Sequence, residues 1–565
     1  MILFLLGMPW LGCVDSKSSS CSTGLILVDG RCEAPSDGAD TAPPDADGTN
    51  ASLVATDPIE CVDPATRETT PFTPWVGPSG QTTAGTSLDP IAAGGFSLAD
   101  FDGDGVLDLF LPQVGDDQLY MSAFSDGPED EGPSRLPSTL GGSTAGSTAV
   151  DIDGDGDLDL FLTRPTGGHS LWVNDGLGVF SDGTDDAGLG EQGWPAGGAN
   201  FADMDGDGDL DLFVITFRNC DTILGAITEN PYTDGPQALW ENLGDGTFRD
   251  VSERMVGHPE GLGRLRAASW IDADLDGDPD LYAVADRAFN ADCIHDNQFF
   301  RNEGGSFEDF SEATSLGIRM EGMGIGVGDI NADGVPDFFM SDMQRLWLVE
   351  SDGFGGWYDG SFARNLVTSA EASDRWSGWS GDLMDVDNDS DLDVYVTFGG
   401  LPDAPSASMN PWEQPDGLWV QQADGSFSQV ADDWGVANTG SNRAGHAVDL
   451  NGDGWMDLFT REINGEVAGY IASCGSAAWT TIELKGLGVN TGAIGATIVV
   501  TTTGSPQTRW VTLGTTGLQS SVPGRAHFGL AGATLFDVDV NWPDGTASRF
   551  SDQPVNRHLV IERRH

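Results

Sequence analysis

The chain has 565 residues and a formal net charge of −65 at pH 7, from 90 aspartate and glutamate residues against 25 lysine and arginine residues. This balance argues against nucleic acids and anionic membranes as partners, because both are bound by clustered basic side chains. The length allows two or more domains with substantial cores, and 78 glycines together with many acidic turns predict an all-β protein.

Residues 1–12 form an apolar run that is too short to span a bilayer. The run is typical of a signal peptide, and Leu11-Gly12-Cys13 resembles a bacterial lipobox, in which the cysteine becomes the lipidated first residue. We therefore expect a secreted or cell-surface protein, a bacterial lipoprotein that touches the membrane only through a lipid on Cys13. Plain secretion and a cytoplasmic location are the alternatives.

Residues 13–60 are predicted to form a small cysteine hairpin followed by a flexible linker. Cys21 and Cys32 flank the apolar run 25–28 and a following Asp-Gly turn, so a disulfide would close a hairpin there. Residues 33–60 are rich in Pro, Asp, Ala, Gly and Thr, a composition that does not bury a core.

An acidic loop recurs seven times in the predicted domain 61–473, and the copy at 203–211 shows its pattern. Carboxylates occupy relative positions 1, 3, 5 and 9, and glycine occupies position 6, where the backbone must turn sharply. Such an array repels itself unless a cation lies inside it, and alternate oxygen ligands suit Ca²⁺, which takes roughly six to eight oxygens. The loops are not EF-hands, because position 12 is apolar (Leu111, Leu162 or Val214) where an EF-hand needs glutamate.

About seven calcium sites are therefore predicted, and we number the loops 1 to 7 in chain order. Their candidate ligands are Asp100, Asp102, Asp104 and Asp108; Asp151, Asp153, Asp155 and Asp159; Asp203, Asp205, Asp207 and Asp211; Asp272, Asp274, Asp276 and Asp280; Asp329, Asn331, Asp333 and Asp337; Asp385, Asp387, Asp389 and Asp393; and Asp449, Asn451, Asp453 and Asp457. Asn331 and Asn451 replace a carboxylate by an amide oxygen. Loop 6 has Ser390 at position 6, so it is expected to be the weakest site.

The spacing of the loops predicts a propeller. Successive first aspartates lie 51 to 69 residues apart, and each loop is followed by a short apolar run that reads as a strand. A second motif follows several loops, an aromatic strand, a Gly turn and a further strand that begins at Phe, as in 239–248. Four strands per repeat form one blade, which predicts a seven-bladed β-propeller. The seventh blade lacks clear later strands, and a strand near Phe72–Val76 is expected to complete it.

Residues 474–565 alternate between polar and apolar side chains, as in 536–542, and predict a small β-sandwich or barrel. His527 in this domain is interpreted as a histidine hydrogen-bonded within a turn, with a ligand or acid–base role as the alternative.

Two further cysteine pairs are candidates for disulfides in an oxidising compartment. Cys220 and Cys293 follow the starts of loops 3 and 4 by 17 and 21 residues, so they could join neighbouring repeats. Cys61 and Cys474 precede the first repeat and follow the last one, so they could tie the ends of the array. Isolated buried thiols are the alternative for both pairs.

The strand and acidic loop together resemble the FG-GAP/VCBS repeats of integrin-α-like propellers. The C-terminal residues resemble the ASPIC/UnbV domain of the cartilage-acidic-protein-like family, and the matching positions are Trp479, Leu484, Gly486, Asn490, 492–496, 527–530 and 541–545. The resemblance implies a calcium-stabilised extracellular module for adhesion or matrix interaction.

The residues bear on three classes of function: an enzyme, a carbohydrate-binding propeller and a non-enzymatic interaction module. The seven histidines form no zinc-protease pair and no nucleophile-elbow motif, and repeated acidic loops favour structural metal sites over one catalytic centre, so a hydrolase or lyase is disfavoured. A carbohydrate-binding propeller is the main alternative, with Trp194, Trp357, Trp376, Trp379, Trp412 and Trp434 as candidate stacking residues. The sequence thus predicts a monomeric, non-enzymatic, calcium-dependent module whose partner is an unidentified extracellular protein or glycan.

Overall fold

The structure is a computed structural model. It describes the strands at 26–28 and 31–33, and residues 51–564 except for 62–64, 68, 80–93, 125–127, 139–142, 165–167, 191–195, 217–237, 256–264, 287–295, 344, 369–375, 401–413, 464–465, 505, 515–519 and 523. The predicted signal peptide, Cys13, Cys21, Cys220, Cys293 and the side chain of Cys32 lie outside the described residues.

The described residues are almost entirely β-structure, as predicted. Before the first loop the strands are β1 (Ile26–Val28), β2 (Arg31–Glu33), β3 (Ala51–Ala55), β4 (Phe72–Ser79) and β5 (Ser97–Ala99). Through the repeats they are β6 (Asp108–Leu111), β7 (Gln118–Tyr120), β8 (Gly146–Val150), β9 (Asp159–Thr163), β10 (His169–Asn174), β11 (Phe180–Asp182), β12 (Ala196–Ala202), β13 (Asp211–Thr216), β14 (Ala238–Asn242), β15 (Phe248–Asp250), β16 (Leu265–Ile271), β17 (Asp280–Ala285), β18 (Gln298–Asn302), β19 (Phe307–Asp309), β20 (Gly322–Gly328), β21 (Asp337–Asp342), β22 (Leu346–Ser351), β23 (Trp357–Asp359), β24 (Gly378–Met384), β25 (Asp393–Phe398), β26 (Gly417–Gln421), β27 (Phe427–Gln429), β28 (Asn442–Val448), β29 (Asp457–Glu462) and β30 (Glu466–Ala472).

The C-terminal strands are β31 (Ala478–Lys485), β32 (Thr497–Thr501), β33 (Gln507–Trp510), β34 (Leu513–Gly514), β35 (Ala526–Ala531), β36 (Leu535–Asn541), β37 (Ala547–Pro554) and β38 (Arg557–Arg563). Short helices α1 (Gly132–Arg135), α2 (Ser311–Thr314) and α3 (Ala431–Trp434) and a 3₁₀ turn (Ser252–Arg254) follow outer strands. In the described part of the chain, no helix is long and apolar enough to cross a membrane.

Seven antiparallel sheets carry the seven loops. The sheets are β5–β7, β8–β11, β12–β15, β16–β19, β20–β23, β24–β27 and β28–β30 with β4. In the last sheet the outer strand is β4, the segment expected near Phe72–Val76, and it pairs antiparallel with β30. We interpret these seven sheets as the seven predicted blades.

The sheets follow one another in a circle, because each packs on its neighbours in the chain. Apolar clusters join every successive pair of sheets. A further cluster joins the seventh sheet to the first, where Phe459 packs edge-on against Phe96 with ring centroids 4.7 Å apart. The all-β, propeller-like architecture expected from the sequence is therefore present.

Small residues in the first strand of each sheet allow this close packing. A Cβ atom at Gly324 or Gly326 of β20 would lie 2.9 to 3.0 Å from a backbone oxygen of β24. The second strands are buried on both faces between neighbouring sheets, so apolar residues follow their first aspartate, as residues 212–215 do in β13.

The C-terminal domain is a sandwich of two four-stranded sheets, β3-β38-β31-β35 and β33-β32-β36-β37. One strand corrects the sequence interpretation, because residues 51–55 were assigned to the flexible linker. They form β3, which pairs with β38 from Ala51 to Ala55, and Leu53 joins the sandwich core. The run Ala-Ser-Leu-Val-Ala is apolar enough to complete this sheet, although its neighbours in sequence are not.

A segment of the C-terminal domain enters the ring. Strand β34 pairs with β12, the first strand of the third sheet, through Leu513 and Gly514. Ser521 forms a bridge with Ser97 of the first sheet, and its Oγ accepts the amide of Ala149 in the second sheet at 3.1 Å. The domain therefore bonds directly to the inner strands of three sheets.

A disulfide ties the two ends of the repeat array. Cys61 and Cys474, one of the three candidate pairs, are bonded with their Cα atoms 5.6 Å apart and 413 residues apart in sequence.

Candidate metal centres

Each acidic loop joins the first and second strands of its sheet, and its position 9 aspartate is the first residue of the second strand. This aspartate is buried in all seven loops, with at most 1% of its surface exposed. One carboxylate oxygen accepts the amide of loop position 2, as in Met204 N to Asp211 Oδ2 at 2.9 Å. The other accepts an amide of the third strand, as in Asn242 N to Asp211 Oδ1 at 2.8 Å. Position 9 therefore links the start of the loop to the middle of the sheet.

The position 1 aspartate closes the turn. Its Oδ2 accepts the amide of position 6 in every loop, as in Gly208 N to Asp203 Oδ2 at 3.0 Å. Position 6 has a positive φ, 97° at Gly208, which explains the preference for glycine there. The repeated hydrogen bonds hold the carboxylates of positions 1 and 9 at fixed places in the loop.

Five of the seven loops bring three carboxylates together. In each group one oxygen from every residue lies within 4.8 Å of the others, and the groups are Asp100, Asp102 and Asp108; Asp151, Asp153 and Asp159; Asp203, Asp205 and Asp211; Asp272, Asp274 and Asp276; and Asp385, Asp387 and Asp393. Loops 5 and 7 do not form such a group among the described residues, and these are the loops in which Asn331 and Asn451 replace position 3. Loop geometry thus brings position 1 and position 3 together in the loops that are fully acidic.

Burial makes the ionised form of these carboxylates energetically unfavourable. Desolvation raises the pKa of position 9 to about 7 at Asp108 and about 8 at Asp211, and well above the ordinary value at Asp457. Desolvation, followed by the nearby carboxylates, raises the pKa of Asp385 at position 1 to about 8. A divalent cation would reverse this cost, because it favours the ionised form.

The ligand set suits a hard cation. The clustered side chains offer only carboxylate and amide oxygens, which fit Ca²⁺ or Mg²⁺ better than the thiolates and imidazoles that favour zinc or copper. The flexible, Gly-turned loop suits the variable coordination of Ca²⁺ better than the strict octahedron of Mg²⁺.

Loop 6 keeps this geometry despite Ser390. The serine takes φ of 88°, its amide donates to Asp385 Oδ2 at 2.8 Å, and its hydroxyl donates to the Gly529 carbonyl at 3.1 Å. The C-terminal domain therefore helps to hold the serine in a conformation that normally requires glycine. Whether loop 6 is the weakest site stays a prediction.

The C-terminal domain covers four of the loops. Thr491 Oγ1 donates to Asp151 Oδ2 of loop 2 at 2.5 Å, and Thr508 hydrogen-bonds Asp329 of loop 5. At loop 6, the Ala531 amide donates to the Asn388 carbonyl at 2.9 Å.

Loop 7 receives both buried histidines of the C-terminal sandwich. His558 Nε2 lies 2.9 Å from the Gly452 carbonyl, and His527 Nε2 lies 3.2 Å from the Gly454 carbonyl. His527 is in strand β35, and its hydrogen bond crosses the domain boundary to Gly454. The prediction of a histidine hydrogen-bonded within a turn is therefore wrong.

Loops 1, 3 and 4 differ from loops 2 and 5, because among the described residues no carboxylate of theirs accepts a hydrogen bond from the C-terminal domain. They also differ from loops 6 and 7, whose backbone carbonyls accept such bonds. Asp205 of loop 3 instead pairs with Arg254 of its own sheet at 3.3 Å. We call loops 2, 5, 6 and 7 the covered loops and loops 1, 3 and 4 the open loops.

Sequence reasoning missed the residues outside the loops that touch them. Arg67 donates to the Val386 carbonyl at 2.6 Å and stacks on Trp455 at 4.3 Å, near the carboxylates of Asp387 and Asp453. Thr491 and Arg67 carry no motif signal, since their role depends on docking between distant parts of the chain.

The candidate sugar-stacking tryptophans are mostly packing residues. Trp357 and Trp379 are 5% and 1% exposed. Trp376 packs edge-on against Phe398, and Trp434 is half-buried beside Phe72 and Arg67. Trp194 and Trp412 lie outside the described residues.

Family models match both parts of the chain. The FG-GAP-like repeat model matches residues 113–214 and 272–340, and the ASPIC and UnbV model matches residues 486–565. The chain therefore contains FG-GAP-like repeats and a C-terminal ASPIC and UnbV domain, which confirms the resemblance seen in the sequence.

The chain is also similar to a curated protein. Cartilage acidic protein 1 of Mus musculus is 24% identical over 442 residues, which are 74% of this chain and 64% of that protein. The chain thus matches less than two thirds of the length of this relative. A solved Agrocybe aegerita lectin, described as recognising non-reducing terminal N-acetylglucosamine, is similar at 17% identity and a TM-score of 0.39, covering 61% of this chain and 83% of the lectin. That likeness is too low to support an inference about fold or function.

Proposed function

We propose that the protein is an extracellular, calcium-binding, non-enzymatic module for binding other macromolecules. The observation that carries the proposal is the set of five loops in which oxygens of three carboxylates, at least one of them buried or half-buried, converge within 4.8 Å. Buried like charges at this separation need a cation, and the oxygen-only ligand set fits calcium.

Calcium has a structural role in this proposal. Each loop joins two strands of its sheet, so an ion bound there fixes the hairpin that those strands form. Because the ion binds mainly to the folded state, free calcium stabilises the fold by mass action. Affinities typical of extracellular modules, about 10⁻⁴–10⁻³ M, would keep the loops occupied outside a cell.

The C-terminal domain limits where a partner can bind. It covers the loop side of the ring over loops 2, 5, 6 and 7, so we place the partner surface on the opposite side. That side holds the connections from second to third strands and from each sheet to the next. The partner, an extracellular protein or a glycan, would be held by these connections while calcium keeps the sheets rigid.

A non-enzymatic role is favoured by repetition. The acidic clusters recur with the same geometry in successive sheets, whereas a catalytic centre requires one asymmetric arrangement. Similarity to Cartilage acidic protein 1, and the repeat and domain matches, support an extracellular interaction module, and a lipid anchor at Cys13 would hold it at the cell surface.

A carbohydrate-binding role has one observation in its favour. Phe354 and Phe362 are 95% and 87% exposed, and Tyr358 on strand β23 between them is 50% exposed. Exposed aromatic rings on an outer strand and in the turns at its two ends are a surface on which sugar rings can stack. The doubly substituted variant Phe354→Ala with Phe362→Ala would lose glycan binding in this alternative and leave protein binding unchanged.

The proposal is tested by presenting the full chain, in calcium and in chelator, to arrays of glycans and of extracellular matrix proteins. Calcium-dependent capture by matrix protein supports the adhesion role. Capture by glycans alone supports the lectin alternative, and release of reducing sugar from the glycans would identify an enzyme.

A further inference from the structure

A cavity of about 240 Å³, lined by both polar and apolar side chains, lies between the ring and the C-terminal domain. One side is formed by the first strands of the fifth, sixth and seventh sheets, including Asp382 and His446. The other side is formed by C-terminal residues that include Arg509, Trp510 and His527. None of the five three-carboxylate groups lines the cavity, but Asp449, the position 1 aspartate of loop 7, does. The cavity volume suits a small organic molecule.

Two buried histidines present imidazole nitrogens that have no hydrogen-bond partner among the described residues. His446 is 2% exposed, and its Nδ1 lies 3.4 Å from Asp382 Oδ2 while its Nε2 has no partner. His527 is 8% exposed, and its Nε2 faces the Gly454 carbonyl while its Nδ1 has no partner. Because a carboxylate and a carbonyl only accept, the bonded nitrogen of each ring carries a proton. In a ring that carries one proton, the unpartnered nitrogen is then an acceptor that requires a donor.

The C-terminal side of the cavity presents hydrogen-bond donors. Trp510 Nε1 is a donor with no hydrogen-bond partner in the described part of the chain. Arg509, the preceding residue of β33, also lines the cavity, and its Nη1 donates to the Thr508 carbonyl at 2.9 Å. These two side chains require an acceptor, and the positive charge of the guanidinium favours an anionic one.

We propose that this cavity binds a small carboxylic acid that also carries a hydrogen-bond donor, which means an amino acid or a hydroxy acid. Its carboxylate accepts from Arg509 and from Trp510 Nε1. Its ammonium or hydroxyl group donates to the unpartnered nitrogens of His446 and His527. One molecule with both groups satisfies all four side chains.

The test uses the full chain in excess calcium, titrated calorimetrically with L-alanine, L-lactate and propionate. All three have the same carbon skeleton, and propionate lacks the donor. We expect alanine or lactate to bind, and propionate to bind about tenfold more weakly because it leaves the imidazole nitrogens unpaired. Whichever of alanine and lactate binds more tightly identifies the donor as ammonium or hydroxyl.

Two tryptophan variants test whether the acid binds in this cavity. Trp510→Phe removes the N–H donor and should weaken binding about tenfold, since it deletes one hydrogen bond to a charged group. The matched control is Trp542→Phe, which breaks the indole hydrogen bond to Ser548 at 2.9 Å in the same domain without touching the cavity. Circular dichroism of both variants confirms that they fold.

Several results would overturn the proposal. They are no binding of either acid, equal binding of propionate and lactate, or unchanged binding by Trp510→Phe. Binding of glucose without binding of either acid would also overturn it. None of these results depends on whether the loops bind calcium, because the calcium requirement is measured separately from melting without any acid.

Discussion

The covered and open loops have the same internal hydrogen bonds, and their sequences follow one pattern apart from Asn331, Ser390 and Asn451 in covered loops, yet they have different surroundings. In covered loops 2 and 5 the position 1 aspartate hydrogen-bonds to the C-terminal domain, as Asp151 does to Thr491, and in loops 6 and 7 backbone carbonyls make the contact. In an open loop the described partners of this aspartate lie within its own turn, as Gly206 and Gly208 do for Asp203. A metal ion in an open loop therefore fixes one hairpin, whereas an ion in a covered loop also fixes the surface on which the C-terminal domain lies.

Desolvation of the position 1 aspartate is strongest in covered loops 6 and 7. Its pKa is raised to about 8 at Asp385 and about 7 at Asp449, and to about 6 at the open Asp203 and Asp272. Desolvation also raises the pKa of Asp151 and Asp329 in covered loops 2 and 5, where hydrogen bonds from Thr491 and Thr508 act in the opposite direction. We therefore expect calcium binding and domain docking to stabilise each other most strongly at loops 6 and 7.

The largest expected effect is a reversal of pH dependence when calcium is removed. Without metal the folded-state pKa values of these aspartates exceed the unfolded value of about 3.9, so the fold binds more protons than the unfolded chain. Its free energy of unfolding should therefore fall as the pH rises from about 4 to about 8. With calcium the ligands are ionised, and acidification should destabilise the protein by displacing the metal. Thermal melting across pH with calcium and with chelator checks both slopes, and parallel slopes would contradict the account.

A second prediction compares one ligand from each class. Asp203→Ala should cost at most about 2.7 kcal/mol of calcium-dependent stability at a free concentration one hundred times the dissociation constant, and should leave the other sites filled. Asp385→Ala should lower the free energy of unfolding by more than Asp203→Ala does, because it also weakens the surface that holds Gly529 and Ala531.

The readouts for this pair are the melting temperature and the rate of proteolysis within 511–525. Faster cleavage in Asp385→Ala than in Asp203→Ala is expected in saturating calcium. Equal cleavage would show that metal and docking are independent.

The third prediction concerns the hydrogen bond between the domains. Thr491→Val should lower stability by about 1.5–3 kcal/mol, because Thr491 donates to a charged carboxylate, and should change the calcium affinity of loop 2. The control Thr148→Val removes a buried bond to the Ala199 carbonyl at 3.2 Å within the ring. It should lower stability without changing the calcium titration, and a matching calcium shift in the control would refute the coupling.

The smallest effect is expected in loop 6, the covered loop that has serine at position 6. Ser390→Ala loses the hydroxyl bond to Gly529 and keeps a side chain at positive φ, which costs roughly 1–2 kcal/mol relative to glycine. Ser390→Gly loses the same bond but removes the backbone strain, so it should be more stable than Ser390→Ala. Chemical denaturation of the two variants in calcium measures the difference, and the reverse order would contradict the account.

The sequence was sufficient for the features that are local and repeated. The acidic loops, the strands on either side of them and the strand at 72–79 could be predicted because their patterns depend on neighbours in the chain. The position 9 aspartate is an example, since its burial follows from being the first residue of a doubly buried strand.

Features that depend on docking could not be predicted from the sequence. Strand β3 was assigned to a linker because its partner β38 lies about 500 residues later in the chain. The covering of loops by Thr491, His527 and His558 leaves no mark in the repeat itself. For the same reason the histidine at 527 was assigned to a turn, although it bonds to a loop of the other domain.

The central claim is that the acidic loops bind calcium and that this calcium holds the fold. The most direct measurement is bound calcium per chain together with the melting temperature, before and after chelation. Roughly seven ions and a large loss of thermal stability on chelation are predicted for loops of this ligand set. Few bound ions and an unchanged melting temperature would show that most loops are only acidic turns, and the calcium-dependent account would be wrong.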